Sequence, residues 1–338
     1  MENCKNCSLP IDNHKQKVTC QTCGKPLHAD CAIKDGGVFC DVCYMVKGET
    51  QEIKVEVPNV IRRSYIELWL ACPYAFYLQV IKGINTAQSS FAQIGIDLHD
   101  LFHHACLGEL TKGELTRQYE EIYKSYDDKM FEGDLGLYKD MTLERFKEKM
   151  WQQSLDGIDT FFEVLKELPQ TALALEENII FNVGEDLPNV SITMDRVDEI
   201  DGMLYVRDWK TGAVKIGQKL SSDLQVPLYI YAIREHFKKP VQSFKLYYLH
   251  ENKTREYIRV DDDNYVCTVG KREYKTNITD AIRTVQHVFS QINKGNFNLP
   301  RNIKTMYFTC KTCGFKREQV CKGADVQSWH QAKGGWGL

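Results

Sequence analysis

The sequence has no long apolar run and no cationic stretch followed by an apolar segment at its start. No run approaches the roughly 18 apolar residues that a membrane-spanning helix needs, so a membrane protein is not expected. A strong net charge is also absent. The formal charge of −3 on 338 residues argues against a protein that coats nucleic acid with its whole surface. We expect a soluble, intracellular protein that is cytoplasmic or associated with the nucleoid.

Cysteine, in contrast, is abundant, with 13 residues in the chain. Where no export signal is present the cytosol keeps thiols reduced, and this favours metal ligation over disulfide bonds. Seven of the cysteines lie in residues 1–47, and three more lie near the C-terminus in a segment, 295–338, that carries seven Lys/Arg against two Asp/Glu. This basic segment is suited to phosphate binding, although a solvated basic tail explains its charge equally well.

The N-terminal cysteines and one histidine form ligand pairs with two-residue spacers. These residues are Cys4, Cys7, Cys20, Cys23, His28, Cys31, Cys40 and Cys43. Eight ligands are enough for two tetrahedral zinc sites without an open position, and so short a segment needs metal to fold. The order resembles that of cross-braced zinc fingers of the PHD and RING type. This resemblance implies one zinc on Cys4, Cys7, His28 and Cys31, and a second on Cys20, Cys23, Cys40 and Cys43.

Beyond this finger, residues 48–60 are expected to form a linker, residues 61–325 the main domain and residues 326–338 a tail. Ser64 is placed to cap a helix. Hydrophobic periodicity then predicts further elements. These are helices at 91–107 and within 115–168, strands at 174–182, 190–200 and 203–208, a helix at 217–237, strands at 241–249 and 255–260, and a helix at 277–292. The pattern of helices and strands indicates an α/β domain.

Asp208 and Lys210, in an Asp-Trp-Lys tripeptide, indicate a candidate catalytic site. Other acid-x-Lys tripeptides occur in the chain, but Asp208 ends a strand that turns back, at Asp201-Gly202, on a strand bearing Asp195. Two carboxylates on paired strands are costly unless a divalent cation neutralises them, which predicts a magnesium or manganese site. Lys210 lies on the same strand face and is placed to orient a water. A surface hairpin with ordinary charges is the alternative.

A second metal centre is indicated by Cys310, Cys313 and Cys321. Three thiolates in one short segment need a fourth soft ligand, and Cys72 is available. Cys106 and Cys267 are expected to be small buried residues.

Five motifs follow one another in a recognisable order. They are S-Y-I-E-L-W-L-A-C-P-Y-A-F-Y-L from Ser64, Gly95-x3-His99, I-T-M-D-R-V-D-E-I around Asp195, V-R-D-W-K-T-G around Asp208, and Gln225-x3-Tyr229. This order resembles the RecB-like branch of the PD-(D/E)XK nucleases over roughly residues 60–325. The chain is most similar to members that carry a 4Fe-4S cluster, namely the AddB nuclease domain, the CRISPR-adaptation Cas exonucleases and exonuclease V.

The resemblance implies a restriction-endonuclease-like α/β fold, with a mixed central sheet and flanking helices, and a phosphodiester hydrolase that acts on DNA. It implies that His99, Asp195 and Asp208 bind Mg²⁺ or Mn²⁺ and that Lys210 is the catalytic lysine. Gln225 and Tyr229 would contact DNA or steady the lysine, with a packed polar pair as the alternative. A 4Fe-4S cluster would be bound by Cys72, Cys310, Cys313 and Cys321.

The expected activity is that of an exonuclease on single-stranded or frayed DNA ends, in recombination, repair or phage DNA processing. Two other classes stay open at this point. One is an inactive nuclease fold that serves as a binding module, and the other is a zinc-finger adaptor that recruits a protein partner. Intact Asp195, Asp208 and Lys210 argue against the first.

Overall fold

The computed structural model describes residues 56–136, 138, 140–217, 219–298, 310 and 313–321, together with the short segments 17–19, 21, 26–28, 32–34 and 38–39. The chain divides into two compact units. The sheet unit consists of Pro58–Glu67 and Asn85–Ser290, and the cysteine unit of Met1–Val57, Leu68–Ile84 and Gln291–Leu338. The predicted domain boundaries stay a prediction.

In the cysteine unit, the described N-terminal residues form two antiparallel strand pairs. The first pair is β1 (Lys17–Thr19) with β2 (Pro26–His28), and the second is β3 (Ile33–Lys34) with β4 (Val38–Phe39). The predicted zinc ligands Cys4, Cys7, Cys20, Cys23, Cys31, Cys40 and Cys43 lie outside the described residues. Of His28 only the backbone is described.

In the described part of the sheet unit, eight strands form one mixed sheet. They are β5 (Val60–Arg62), β6 (Ala174–Phe181), β7 (Asn189–Ile200), β8 (Met203–Lys210), β9 (Val241–Tyr248), β10 (Lys253–Arg259), β11 (Asn264–Val269) and β12 (Arg272–Asn277). The order is β12-β11-β10-β9-β8-β7-β5, with β6 also paired to β7. Strands β8 and β9 run parallel, as do β5 and β7, and the other pairs are antiparallel.

The described residues contain ten α-helices, and several of them begin where short polar side chains accept hydrogen bonds from free backbone N–H groups. They are α1 (Arg63–Ala71), α2 (Pro73–Phe76), α3 (Ser90–Cys106), α4 (Lys112–Ser125), α5 (Asp128–Leu135), α6 (Leu143–Glu167), α7 (Lys219–Ser222), α8 (Gln225–Phe237), α9 (Ile278–Asn293) and α10 (Gly314–Arg317). Ser89 caps α3, and Thr111 forms a capping box with Glu114 at the start of α4. Among the described residues, no helix is long and apolar enough to cross a bilayer.

Helices lie on both faces of the sheet. On one face, helices α3 to α6 share an apolar core with Trp209 of β8 and Tyr247 of β9. On the other face, α8 packs through Tyr229 on Phe244 of β9, with ring centroids 5.9 Å apart. Trp209 is 1% exposed, so the strand that carries the predicted active-site residues is fixed by a buried ring on its opposite side.

The mixed sheet with flanking helices confirms the predicted fold class. The turn at Asp201 and Gly202 is also confirmed, and both residues have positive φ as a tight β-hairpin turn requires. The single helix predicted at 217–237 is wrong, because the chain forms α7 and then α8. Pro227 lies in the first turn of α8, where its missing N–H leaves no hydrogen bond unmade. Strands β11 and β12 were not predicted.

A buried ion network joins β7 and β8 close to the predicted site. Arg196 Nε donates to Asp198 Oδ1 at 2.8 Å, and Arg207 Nε donates to Asp198 Oδ2 at 3.2 Å. Asp198 is fully buried and Arg196 is 1% exposed. Arg196 also donates to the carbonyl of Pro169, and Arg207 to the hydroxyl of Tyr247. Each guanidinium therefore has an acceptor besides Asp198, as burial of a charge requires.

Replacement of Asp198 by alanine is expected to destabilise the protein by about 3–5 kcal/mol, because two buried guanidinium groups lose their counter-charge. Urea unfolding measures this change. The control is Glu199→Ala on the same strand, which removes a 2.5 Å surface pair with Lys239 and should cost less than about 1 kcal/mol. Equal losses in the two variants would contradict a structural role for the network.

Candidate active site

The strands that carry the predicted acidic residues separate at the site. The antiparallel pairing of β7 with β8 ends at Arg196 opposite Arg207, and the same register continued by one residue would place Asp195 opposite Asp208. Further along the same edge of β7, Ser191 is paired with β5. The edge of β7 between these two pairings is open, and we call this opening the strand fork.

Asp195 bridges the strand fork with its side chain. Its Oδ2 accepts a hydrogen bond of 2.5 Å from the backbone N–H of Trp209, where strand pairing has already ended. Its Oδ1 lies 3.4 Å from Nδ1 of His99, which projects from α3. The carboxylate is 8% exposed. The backbone donor and the imidazole together offset the cost of its burial.

Glu176 of β6 completes a group of three possible metal ligands. It lies between Leu175 and Glu177, which pair with residues 196 and 194 of β7, so Glu176 falls opposite Asp195. Its Oε1 lies 3.8 Å from Nδ1 of His99, and the ligand atoms of His99, Glu176 and Asp195 all lie within 4.8 Å of one another. Carboxylate oxygens with one imidazole suit Mn²⁺ or Mg²⁺, so the donor set fits such a cation.

The backbone of Glu176 is strained. Its φ of +46° is in the left-handed region, which non-glycine residues seldom adopt, least of all within a strand. Such a conformation costs on the order of 1–3 kcal/mol and is found preferentially at functional sites. The strain places the Glu176 carboxylate beside His99.

Asp208 and Lys210 form the second half of the site. Lys210 Nζ lies 2.5 Å from Asp208 Oδ2 in an ion pair, and Gln225 Nε2 donates to Asp208 Oδ1 at 2.6 Å. Asp208 is 2% exposed, whereas the Lys210 side chain is 24% exposed. The carboxylate is therefore held from two sides, and the ammonium group keeps access to solvent.

Electrostatics separate the two carboxyl groups. Burial would raise the pKa of Asp195, but the charges of His99 and Lys210 lower it. Burial and the charge of Asp195 raise the pKa of Asp208 to about 6 against the opposing charge of Lys210. Burial would lower the pKa of His99, but the charge of Asp195 and contacts with Asp195 and Glu176 raise it to about 10. Two neighbouring acids whose pKa values are shifted in opposite directions are typical of functional sites.

Gln225 and Tyr229 lie on one face of α8, one turn apart, as their spacing predicted. Gln225 reaches Asp208, whereas Tyr229 packs below the guanidinium of Arg63, which lies 5.6 Å from the ring centroid. Tyr229 is 6% exposed, and burial together with the charge of Asp208 raises its pKa.

Gly95 explains how α3 comes close enough for His99 to reach the strand fork. A Cβ atom at this position would meet Oγ1 of Thr211 at 3.0 Å, and Thr211 directly follows Lys210. Glycine therefore allows the helix to contact the end of β8. His99 lies one turn further along the same helix.

Residues 63–322 match the sequence profile of the PD-(D/E)XK nuclease superfamily. The chain belongs to this superfamily. Its members generally hydrolyse phosphodiester bonds and typically use Mg²⁺ or Mn²⁺, with which the cluster of His99, Glu176 and Asp195 is compatible. A metal-dependent nuclease that acts on DNA is the activity this membership suggests.

Solved structures and curated proteins add little to this assignment. A structure titled "Crystal structure of SSO0001" is 15% identical, with a TM-score of 0.32, and the alignment covers 82% of this chain and 91% of that one. A TM-score this low carries no structural argument. No curated protein matches the chain.

Of the predicted site residues, the structure groups His99 with Asp195, and Asp208 with Lys210 and Gln225. Tyr229 lies beside Arg63 on the same helix face as Gln225. Glu176 was missed because no motif marks it. Its only sequence signal is its place in a predicted strand, and this becomes informative once the register with β7 is known.

The predicted cluster cysteines lie together in the cysteine unit. Cys72 is buried in an apolar group with Phe315, against which Cys313 and Cys321 also pack. Burial, together with the neighbouring thiols of Cys313 and Cys310, raises the pKa of Cys72 to about 11. Cys72 is therefore a neighbour of three cysteines that lie far from it in the sequence.

The pH dependence of stability provides a test of the His99–Asp195 contact in protein without added divalent cation. Because the folded pKa of His99 is raised, its contribution to stability is complete below its ordinary value of 6.5 and is lost as the pH rises through about 10. We expect the difference in unfolding free energy between wild type and His99→Gln to shrink from pH 6.5 to pH 10. The control, His236→Gln, removes an exposed pair with Glu177. A difference independent of pH would contradict the contact.

Proposed function

We propose that this protein is a metal-dependent deoxyribonuclease that removes nucleotides from single-stranded or frayed DNA ends. The single observation that supports hydrolysis is the strand fork, where Asp195 and Asp208 are buried beside Lys210. The exonucleolytic mode, and a place in recombination, repair or phage DNA processing, rest on the ordered motifs shared with RecB-like nucleases.

His99, Glu176 and Asp195 would hold Mg²⁺ or Mn²⁺, with Asp208 on the neighbouring strand. When bound, the cation supplies Lewis-acid stabilisation of the charge that develops on the phosphate. Glu176 is added here to the ligands that the sequence indicated, because its oxygen belongs to the same group of ligand atoms.

Three further side chains position the groups that take part in the reaction. Asp208 fixes the ammonium group of Lys210, and Gln225 fixes Asp208 through the other carboxylate oxygen. Lys210 is thereby held as a cation that orients the attacking water and faces the negative phosphate. Gln225 acts through Asp208 and is therefore a positioning residue.

Lys210→Ala and Asp208→Ala are each expected to lower the rate of DNA cleavage by about 10²-fold or more, because transition-state stabilisation is lost. End-labelled single-stranded and double-stranded DNA with Mg²⁺ or Mn²⁺ provides the assay, and circular dichroism checks folding. Release of mononucleotides identifies an exonuclease. Lys166→Ala at the end of α6, an exposed lysine paired with Glu163, is the control. Undiminished cleavage by either active-site variant would remove the proposed site.

We also propose that Cys72, Cys310, Cys313 and Cys321 bind a 4Fe-4S cluster. Cys72, Cys313 and Cys321 share one apolar group, and Cys310 lies close enough to Cys72 to raise its pKa. This proximity supports the proposal, because soft thiolates in a shielded setting suit iron–sulfur ligation. A cluster that joins Cys72 to Cys310 closes a long loop and restrains the unfolded chain.

Cys72→Ala is expected to abolish the brown colour and the bound iron of anaerobically purified protein and to lower its melting temperature. Cys267→Ala, which alters a buried cysteine of β11 in the sheet unit, is the matched control and should keep its iron. Iron analysis and visible absorbance give the readouts. A wild-type protein that is folded, active and free of iron would contradict the cluster.

Residues 1–47 are proposed to bind two zinc ions as a PHD/RING-like finger that recruits a protein partner. This proposal rests on the ligand spacing alone. Zinc analysis should find about two ions per chain, and deletion of residues 1–50 should remove them while cleavage persists. Full-length protein without zinc would refute it.

A further inference from the structure

A polar pocket of about 340 Å³ opens beside the strand fork, within the sheet unit. The end of β5 and the start of α1 form one wall, with Arg62, Arg63 and Ser64. Ser191 and Thr193 of β7 line another wall, together with Asn178 of β6 and the ring of Tyr229. None of the lining residues is acidic. The pocket therefore offers positive charge and hydrogen-bond donors.

The pocket and the carboxylate site lie on the same face of β7, a few residues apart. Every second side chain of β7 lies on the same face, so Ser191, Thr193 and Asp195 share one face. Asn178 of the neighbouring strand β6 is paired with Thr193. Asn178 Nδ2 donates to Ser191 Oγ at 2.9 Å and lies 3.2 Å from Thr193 Oγ1. At about 3.3 Å per residue, Ser191 and Thr193 lie roughly 7–13 Å from Asp195. This distance spans a few nucleotides of a bound strand.

The two arginines differ in how much of their charge is available. Arg63 is held by Glu67, with Nη1 at 2.6 Å from Oε1, and by the ring of Tyr229. A guanidinium has five N–H donors, so this pairing leaves some of them unused. Arg62 is exposed, and among the described residues no ion pair involves it. Its charge is available to a ligand.

We propose that this pocket binds a phosphate group of the nucleic-acid strand while a neighbouring phosphate lies at the strand fork. This inference rests on the proposed function and identifies a binding site for its substrate. Arginine side chains, hydroxyl groups and an amide suit phosphate oxygens. A base is not favoured, because the one aromatic ring of the pocket already lies against Arg63. Such a contact positions the strand without reading its sequence.

Binding of short single-stranded oligonucleotides by the full chain, without added divalent cation, provides the first test. Arg62→Ala should weaken affinity about tenfold, and the slope of log affinity against log salt should become shallower by about 0.7, the value for one phosphate contact on a single strand. Arg272→Ala removes an exposed arginine of β12, at the other end of the strand order, and is the matched control. Equal affinities and slopes for the two variants would overturn the proposal.

Neutral methylphosphonate linkages, introduced one at a time, locate the phosphate. At one linkage, neutralisation should weaken binding to wild type and cause no further loss in Arg62→Ala, because both changes remove the same interaction. Oligonucleotides with and without a terminal phosphate show whether that group is terminal or internal, and either result supports the pocket. Equal losses in wild type and Arg62→Ala at every position would overturn it.

Cleavage assays separate failure of the pocket from failure of the proposed function. If wild type binds and cleaves DNA but Arg62→Ala behaves like Arg272→Ala, the pocket assignment alone is wrong. If wild type neither binds nor cleaves any strand, both proposals fall.

Discussion

Two carboxyl groups buried side by side, Asp195 and Asp208, set the electrostatic constraint on which the rest of the site depends. Neither can be ionised in an apolar setting without a counter-charge or donors, and each raises the cost of ionising the other. His99 and the N–H group of Trp209 stabilise the carboxylate of Asp195, whereas Lys210 and Gln225 stabilise that of Asp208. The sheet must therefore open here, because a closed ladder of β7 and β8 would leave neither room nor free backbone donors.

Departures from regular structure cluster around the same point. Glu176 has a left-handed backbone inside a strand, and Gly95 allows α3 to contact Thr211. The Arg196–Asp198–Arg207 network lies immediately behind the two carboxylates and ties β7 to β8 where their pairing ends. Such departures from regular structure are expected at a functional site, where the required geometry lowers the stability of the fold.

The proximity of Asp195 and Asp208 could be predicted from the sequence because its signal is local. Each acid lies on a predicted strand, and the two strands are joined by a two-residue turn that requires positive φ. Glu176 could not be found, since its role depends on the register of β6 against β7. Strand β12 was missed because it is a polar edge strand, which lacks the apolar alternation that marks a half-buried one. The Arg62–Tyr229 pocket likewise depends on contacts between residues far apart in sequence.

The division of the chain into two units has a consequence for the order in which the protein is made. The sheet unit ends at Ser290, whereas three of the four clustered cysteines are Cys310, Cys313 and Cys321. Translation proceeds from the N-terminus, and domains generally fold as units during synthesis. The ribosome therefore adds every strand of the sheet and both buried carboxylates before the cysteine unit has all its thiols. Assembly of the proposed 4Fe-4S cluster on all four cysteines therefore comes after synthesis of the sheet unit.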